Sequence, residues 1–300
     1  MAIHSKNYLR RLLTVFVCLL VLSGCSDSPN SPDQGIGELI PVPPMDELAV
    51  WNPKSDWIAY EHTNSGWGDT DTSGVYLIRC DGTSKQLLVA WGQGPAWDST
   101  GTVLAFTHYT GLWLYNFESS EYTRLVALPN LFNPNFSCDG SMISYSDDGI
   151  LNIYDIAGDS TFAVLDSVGI PIGSYFPRWS PTAHKLLIDC RSCSPRYDLW
   201  QYDYDTKVIA RVVELGRYPR WSPDANKISY YPEFGPATII YDLSTKSSLT
   251  VDEIYKIDIA PSDSLCVGTA LVGDKADPFT LRYRLFIYDL DTHLLRQLTY

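Results

Sequence analysis

Few residues of this chain are spaced for chemistry. Cys190 and Cys193 have two residues between them, a spacing that fits either a small disulfide-closed loop or a redox pair. A thioredoxin-like pair needs a strand–helix–strand setting, which the surrounding pattern lacks, so a structural disulfide and two free thiols are the readings that remain. His62 and His108 each lie eleven residues after a tryptophan, and the same offset after Phe136 and Trp179 gives Asp147 and Cys190. On neighbouring units these positions would sit roughly 10 Å apart, whereas zinc ligands must all come within about 2.0–2.3 Å of one ion, so no metal site is expected. Asp69-Thr70-Asp71 lacks the spacing of a calcium loop and reads as a solvated acidic loop. No nucleophile elbow, zinc-binding helix or phosphate-cradling glycine loop occurs. The residues name no catalyst and imply no cofactor.

The elements that would position these groups recur with a period of about forty residues. Trp51-Asn52-Pro53, Trp97-Asp98-Ser99, Phe136-Ser137-Cys138-Asp139, Trp179-Ser180-Pro181, Trp221-Ser222-Pro223-Asp224 and Ile259-Ala260-Pro261 begin at spacings of 46, 39, 43, 42 and 38. After each comes an apolar run such as Lys227-Ile228-Ser229-Tyr230, then a second run ending in an aromatic and a polar residue, such as Leu285-Phe286-Ile287-Tyr288-Asp289, and then a short final strand. Four short strands per unit are the mark of a propeller blade. A composition of 13% aromatic residues, with 20 Tyr and 9 Trp, agrees with pleated, half-buried strands. One such sheet cannot bury both faces alone, so the repeated aromatics are expected between stacked blades.

These segments resemble the repeats of TolB-like, WD40-like β-propellers, from Glu47 to Thr299. The resemblance implies an all-β, six-bladed β-propeller of four-stranded antiparallel blades over residues 47–300. It also implies interaction with proteins. The first unit starts at its innermost strand and the last ends at its outermost, so closure is expected through side-chain packing. Pairing of residues 39–42 with the last blade would refute that expectation.

Lys6, Arg10 and Arg11 precede an apolar run over 12–22 that is only about 16 Å long as a helix, too short for a bilayer core of about 30 Å. It reads as a signal segment, residues 1–24. Its end, Leu22-Ser23-Gly24-Cys25, resembles the lipobox of bacterial lipoproteins, which implies lipidation at Cys25 and stable membrane anchoring. Residues 25–46 then form a lipidated, Ser- and Pro-rich tether. Ser26 suits sorting to the outer membrane, facing either the periplasm or the outside. Of 22 basic residues three fall in the signal, leaving 19 against 35 acidic ones, a net of −16. Such a surface repels phosphate backbones, so nucleic acid is not expected as a partner.

Insertions between second and third strands, at 62–73, 191–197, 231–236 and 271–283, would emerge on one face, the usual binding face of a repeat fold. Trp67, Asp69, Asp71, Arg196, Tyr197 and Phe234 are the binding candidates there. The expected function is a non-enzymatic, membrane-tethered envelope scaffold for a protein, peptide or glycan. Two alternatives are a propeller hydrolase or lyase acting on carbohydrate through acids such as Asp69, Asp71 or Asp147, and a structural surface protein without a discrete ligand.

Overall fold

The computed structural model describes residues 44–64, 70–165, 169, 172–190, 193, 197–233, 235, 237–252, 254–274 and 280–300. Contacts divide the chain after residue 40, and residues 1–40, with the signal segment and Cys25, lie outside the described residues.

Every described strand falls where the repeat pattern puts it. The first repeat holds β1 (Met45–Trp51), β2 (Trp57–Thr63), β3 (Gly74–Arg79) and β4 (Gln86–Ala90), and the second β5 (Gln93–Trp97), β6 (Val103–His108), β7 (Gly111–Asn116) and β8 (Glu121–Val126). The third holds β9 (Leu131–Phe136), β10 (Met142–Asp147), β11 (Ile150–Asp155) and β12 (Ser160–Ala163), and the fourth β13 (Arg178–Trp179), β14 (Lys185–Asp189), β15 (Leu199–Asp203) and β16 (Ile209–Val213). The fifth holds β17 (Gly216–Trp221), β18 (Lys227–Pro232), β19 (Ala237–Asp242) and β20 (Ser248–Asp252), and the last β21 (Tyr255–Ile259), β22 (Leu265–Val272), β23 (Arg282–Asp289) and β24 (Leu295–Gln297). Within each repeat, consecutive strands pair antiparallel. The architecture is an all-β propeller with four-stranded blades.

The turn motif sets the register between first and second strands. The Ser222 hydroxyl donates to Asp224 Oδ1 at 2.6 Å and accepts the Lys227 N–H at 2.8 Å, and Ser137 and Asp139 repeat the arrangement, with the Met142 N–H 3.0 Å from Ser137 Oγ. A short hydroxyl side chain and a carboxylate two places on hold the first N–H of the following strand. In the first repeat Asn52 reaches sideways instead, donating to the Gly101 carbonyl of the next repeat at 2.8 Å. Gly101 has φ 74°, and a Cβ there would lie 2.4 Å from Asn52 Oδ1, so only glycine fits the seam.

Apolar clusters lie between repeats. Val50, Ala59 and Leu77 pack with Leu104 and Phe106, Ala105 and Leu112 with Phe136 and Ile143, Leu151 and Ile153 with Trp179 and Leu186, Ile240 and Val251 with Ile257 and Cys266, and Trp51 and Ile58 with Val267 and Leu285. The last cluster joins the final repeat to the first. The first strands β1, β5, β9, β13, β17 and β21 touch one another in cyclic order, so they surround a common axis.

Two expectations are corrected. The repeat predicts six separate sheets; four stand alone, while eight strands run in one sheet, ordered β21-β22-β23-β1-β2-β3-β4 with β24 on β23. They merge because Met45 pairs in parallel with Tyr283, whose N–H donates to the Pro44 carbonyl at 3.2 Å. The same backbone bond corrects the expectation that side chains alone close the chain ends. Residues 39–42 lie outside the described residues.

Candidate functional site

The axis is lined by the first strands, and five of the six bend. In β1, β5, β9, β17 and β21 the pairing register slips in mid-strand, and the residue three before the turn residue has a positive φ: Leu48 at 54°, Gly94 at 57°, Asn133, Tyr218 and Lys256 at 52°. This repeated bulge re-aims side chains toward the axis. Leu48, Tyr218 and Lys256, with Phe176, Pro219, Arg178 and Arg220, line a narrow crevice with no free space for a water molecule inside it.

The residue just before each turn residue makes a second layer: Val50, Ala96, Asn135, Arg178, Arg220 and Asp258. Asn135 Oδ1 accepts the Trp179 N–H at 2.6 Å, and Asp258 Oδ2 accepts the Trp51 N–H at 2.9 Å. Arg178 is 5% and Arg220 7% exposed. Arg178 donates to the carbonyls of Pro177 and Asn133 at 2.9 and 3.3 Å. Burial lowers the pKa of both guanidinium groups; Arg220 lowers that of Arg178 further, and Asp258 opposes the shift in both. Burial in turn raises Asp258. Neither arginine forms an ion pair within 4.0 Å among the described residues.

Toward the mouth, Glu47 pairs with Lys256, whose ammonium lies 4.7 Å from the Tyr218 ring centre. Burial works against the Lys256 charge, but Glu47, Tyr218 and Glu61 hold its pKa above the ordinary lysine value. Glu61 stands opposite Glu47 in the β1–β2 ladder and accepts the Gly94 N–H at 3.0 Å. Burial, then the charge of Glu47, pushes its pKa up to about 7.

At the seam between chain ends, Asp46 is a buried hub. Its Oδ1 lies 2.7 Å from His62 Nδ1, its Oδ2 accepts from the Thr299 hydroxyl at 2.6 Å and lies 3.4 Å from Arg284 Nη1, and its carbonyl accepts from Thr269 at 3.0 Å. His62 therefore serves the seam. His108 meets Thr110 at 2.9 Å, Cys190 is joined to Cys193 by a disulfide, and burial followed by Asp148 raises the pKa of Asp147. The four equal-offset residues do not converge. Among the described residues no group of three His, Cys, Asp or Glu side chains is placed to hold a metal ion.

Of the binding candidates, Trp67, Asp69, Arg196 and Phe234 lie outside the described residues, as does Cys25. Asp71 pairs with Lys85, whose hydrogen bond lowers its pKa. The Tyr197 ring carries the Arg217 guanidinium 3.3 Å from its centre, and Arg217 reaches Glu233 at 3.3 Å. Asp71 and Tyr197 belong to different repeats and are not brought together.

Sequence reasoning missed a larger feature at this end of the ring. Trp91, Tyr109, Leu128, Phe132, Ile150 and Leu165 are exposed, Trp91 by 61% and Tyr109 by 64%. All six sit on, or beside, connections from a fourth strand to the next first strand or from a second to a third strand, in repeats one to three. These are the connections that open at the channel mouth. They follow one another through repeats one to three as an arc of exposed apolar positions, and the links that carry Trp91 and Tyr109 are short, with no insertion to draw attention.

No protein-family profile matches the chain, and no curated protein does. Solved structures do. TolB from Acinetobacter baumannii superposes with a TM-score of 0.64 at 15% identity, over 86% of this chain and 64% of that one. The chain therefore spans a little under two thirds of that protein. A TolB from Agrobacterium tumefaciens, itself described as putative, gives 0.51 at 13% identity over 86% and 81%, and an oligogalacturonate lyase in complex with manganese gives 0.55 at 11% over 85% and 77%. The fold is that of a TolB-like β-propeller.

Proposed function

We propose that this chain is a lipid-anchored envelope scaffold whose propeller binds a protein or peptide at the channel mouth. The observation that carries the reading is the arc of exposed apolar side chains from Trp91 to Leu165. Exposed apolar side chains gathered on the loops at one end of neighbouring repeats are what a protein partner covers, with aromatic anchors contributing most. The eight-stranded sheet is read as two blades fused by the Met45–Tyr283 bridge, which makes six blades around the axis. Residues 1–24 serve as the signal, Cys25 carries the lipid, and the tether presents the ring, with outer-membrane sorting through Ser26 as the expected address.

The test is affinity capture from detergent-solubilised envelopes with the full mature chain. Wild type should recover a discrete partner that is lost with Trp91→Ala plus Tyr109→Ala. Equal recovery by both would reject the reading.

The Glu47–Glu61 pair supports a second reading, an enzyme acting on carbohydrate, since a carboxyl group with a pKa near neutrality suits general acid–base work. The lyase among the structural neighbours supplies the substrate to try. Turnover of oligogalacturonate that disappears in Glu61→Gln would move the assignment to this reading; no turnover leaves the scaffold.

A further inference from the structure

A cavity of about 270 Å³ lies at the end of the blades opposite the channel mouth, in the seam between the first and second repeats. Trp57 and Leu77 of the first repeat and Trp97 and Phe117 of the second wall it, and the exposed Ser55 and Gln86 stand at its opening. Asn52 and Gly101, which complete the lining, are bonded to each other and close the seam. No charged side chain is among the described residues that line it.

The repeat does not require the Trp57 wall. Second strands begin with Trp57, Val103, Met142, Lys185, Lys227 and Leu265, so position 57 alone carries an aromatic ring. The walls are fixed by their neighbours. Arg79 lies 4.7 Å from the Trp57 ring centre and is itself held by both Asp56 oxygens at 2.8 and 2.6 Å, while Phe117 packs on Trp97 at 5.1 Å and on Tyr115 at 4.8 Å. Preorganised aromatic faces with a few polar groups at their edge are the make-up of a small-ligand site.

We infer that this cavity binds one neutral sugar ring, a hexose or an N-acetylhexosamine. A pyranose presents apolar C–H faces, which aromatic rings cover, and hydroxyls at its edge, which the Ser55 hydroxyl and the Gln86 carboxamide can meet. A volume of about 270 Å³ falls just below the range of about 300–1,000 Å³ for drug-sized ligands, which suits a single ring. A charged ligand would find no counter-charge in the walls, and an acidic sugar would also meet a chain of net charge −13. An aromatic side chain would match the walls but make no use of the hydroxyl and carboxamide at the opening. The site stands apart from the mouth and does not rest on the scaffold reading.

The experiment is saturation-transfer NMR on the mature chain in detergent, with methyl β-glucoside, N-acetylglucosamine, glucuronate and indole as probes. The two neutral sugars should receive saturation on their ring protons. Trp57→Ala should weaken their binding about tenfold. Gln86→Ala, which shortens an exposed side chain and serves if the first variant does not fold, should weaken it about fivefold. Trp91→Ala plus Tyr109→Ala should bind the sugars as wild type does, so that loss of this site and loss of the partner at the mouth are separate results. No transfer to either neutral sugar, equal binding by wild type and both folded variants, or stronger transfer to glucuronate would overturn the site. Transfer to indole alone would also overturn it, giving the cavity to an aromatic side chain of a peptide.

Discussion

The Asp258 carboxylate accepts the Trp51 N–H at 2.9 Å across 207 residues of sequence. Asn135 makes the same contact to Trp179 at 2.6 Å inside the ring, so the seam between chain ends is built like an interior seam. A polar residue just before the turn position can therefore serve two ends: tying neighbouring repeats together and setting charge near the axis. Asp258 performs both.

Asp258→Ala should cost about 3 kcal/mol, because it leaves a buried N–H without an acceptor and two buried cations without their facing acid. Asp258→Asn, which keeps an acceptor for Trp51, should cost less. Denaturant midpoints measure both; equal losses would show that the hydrogen bond does not matter.

The Asp46 hub holds the chain ends together. Asp46→Ala should cost about 3–5 kcal/mol, since His62, Arg284 and Thr299 lose a shared buried partner. Thr299→Val should cost about 1 kcal/mol. Differential scanning calorimetry resolves the two, and a smaller loss for Asp46→Ala than for Thr299→Val would be inconsistent with a hub.

Glu61 makes stability depend on pH. Its folded pKa of about 7 lies above an unfolded value of about 4.3, so the folded state holds the proton more tightly. Its contribution is greatest below about pH 4.5, declines as pH rises toward about 7, and is flat beyond. Glu61→Gln, which keeps an acceptor for the Gly94 N–H, should remove that decline and gain on the order of 2–3 kcal/mol over wild type between those limits. Parallel pH profiles for the two proteins would contradict the assignment.

How much of this the sequence carried can be judged from particular residues. Ser222 and Asp224 are legible because their chemistry is local: each bonds within five residues. The period, the four-stranded units and the interleaved aromatics follow from that. The channel charges are not legible in the same way, because a repeat search averages over Val50, Ala96, Asn135, Arg178, Arg220 and Asp258 and sees a variable position. A charge directly before a turn tryptophan, as in Arg178-Trp179 and Arg220-Trp221, was the available signal. Asp46 meets Arg284 and Thr299 across more than 200 residues, which no local pattern encodes. Trp91 and Tyr109 sit in short links, whereas the eye goes to long insertions.

The cysteines give a prediction of a different kind. Cys80 and Cys138 are half-buried, Cys266 is buried, and Cys190 and Cys193 are joined. Burial, followed by Asp56 at Cys80 and Asp139 at Cys138, raises both thiol pKa values and should make them slow to react. Alkylation of the lipidated chain followed by mass spectrometry should tag these two in the native state, Cys266 only on unfolding, and the joined pair only after reduction. Labelling of Cys190 without reductant would contradict this.

Binding at the channel mouth is tested most directly by photocrosslinking in living cells. A photoreactive residue in place of Tyr109, on the apolar arc, should yield a discrete adduct with an envelope protein. The same residue in place of Ser119, exposed on the connection between β7 and β8 at the opposite end of the blade, should yield none. Adducts of equal yield from both positions, or from Ser119 alone, would contradict a binding face at the mouth.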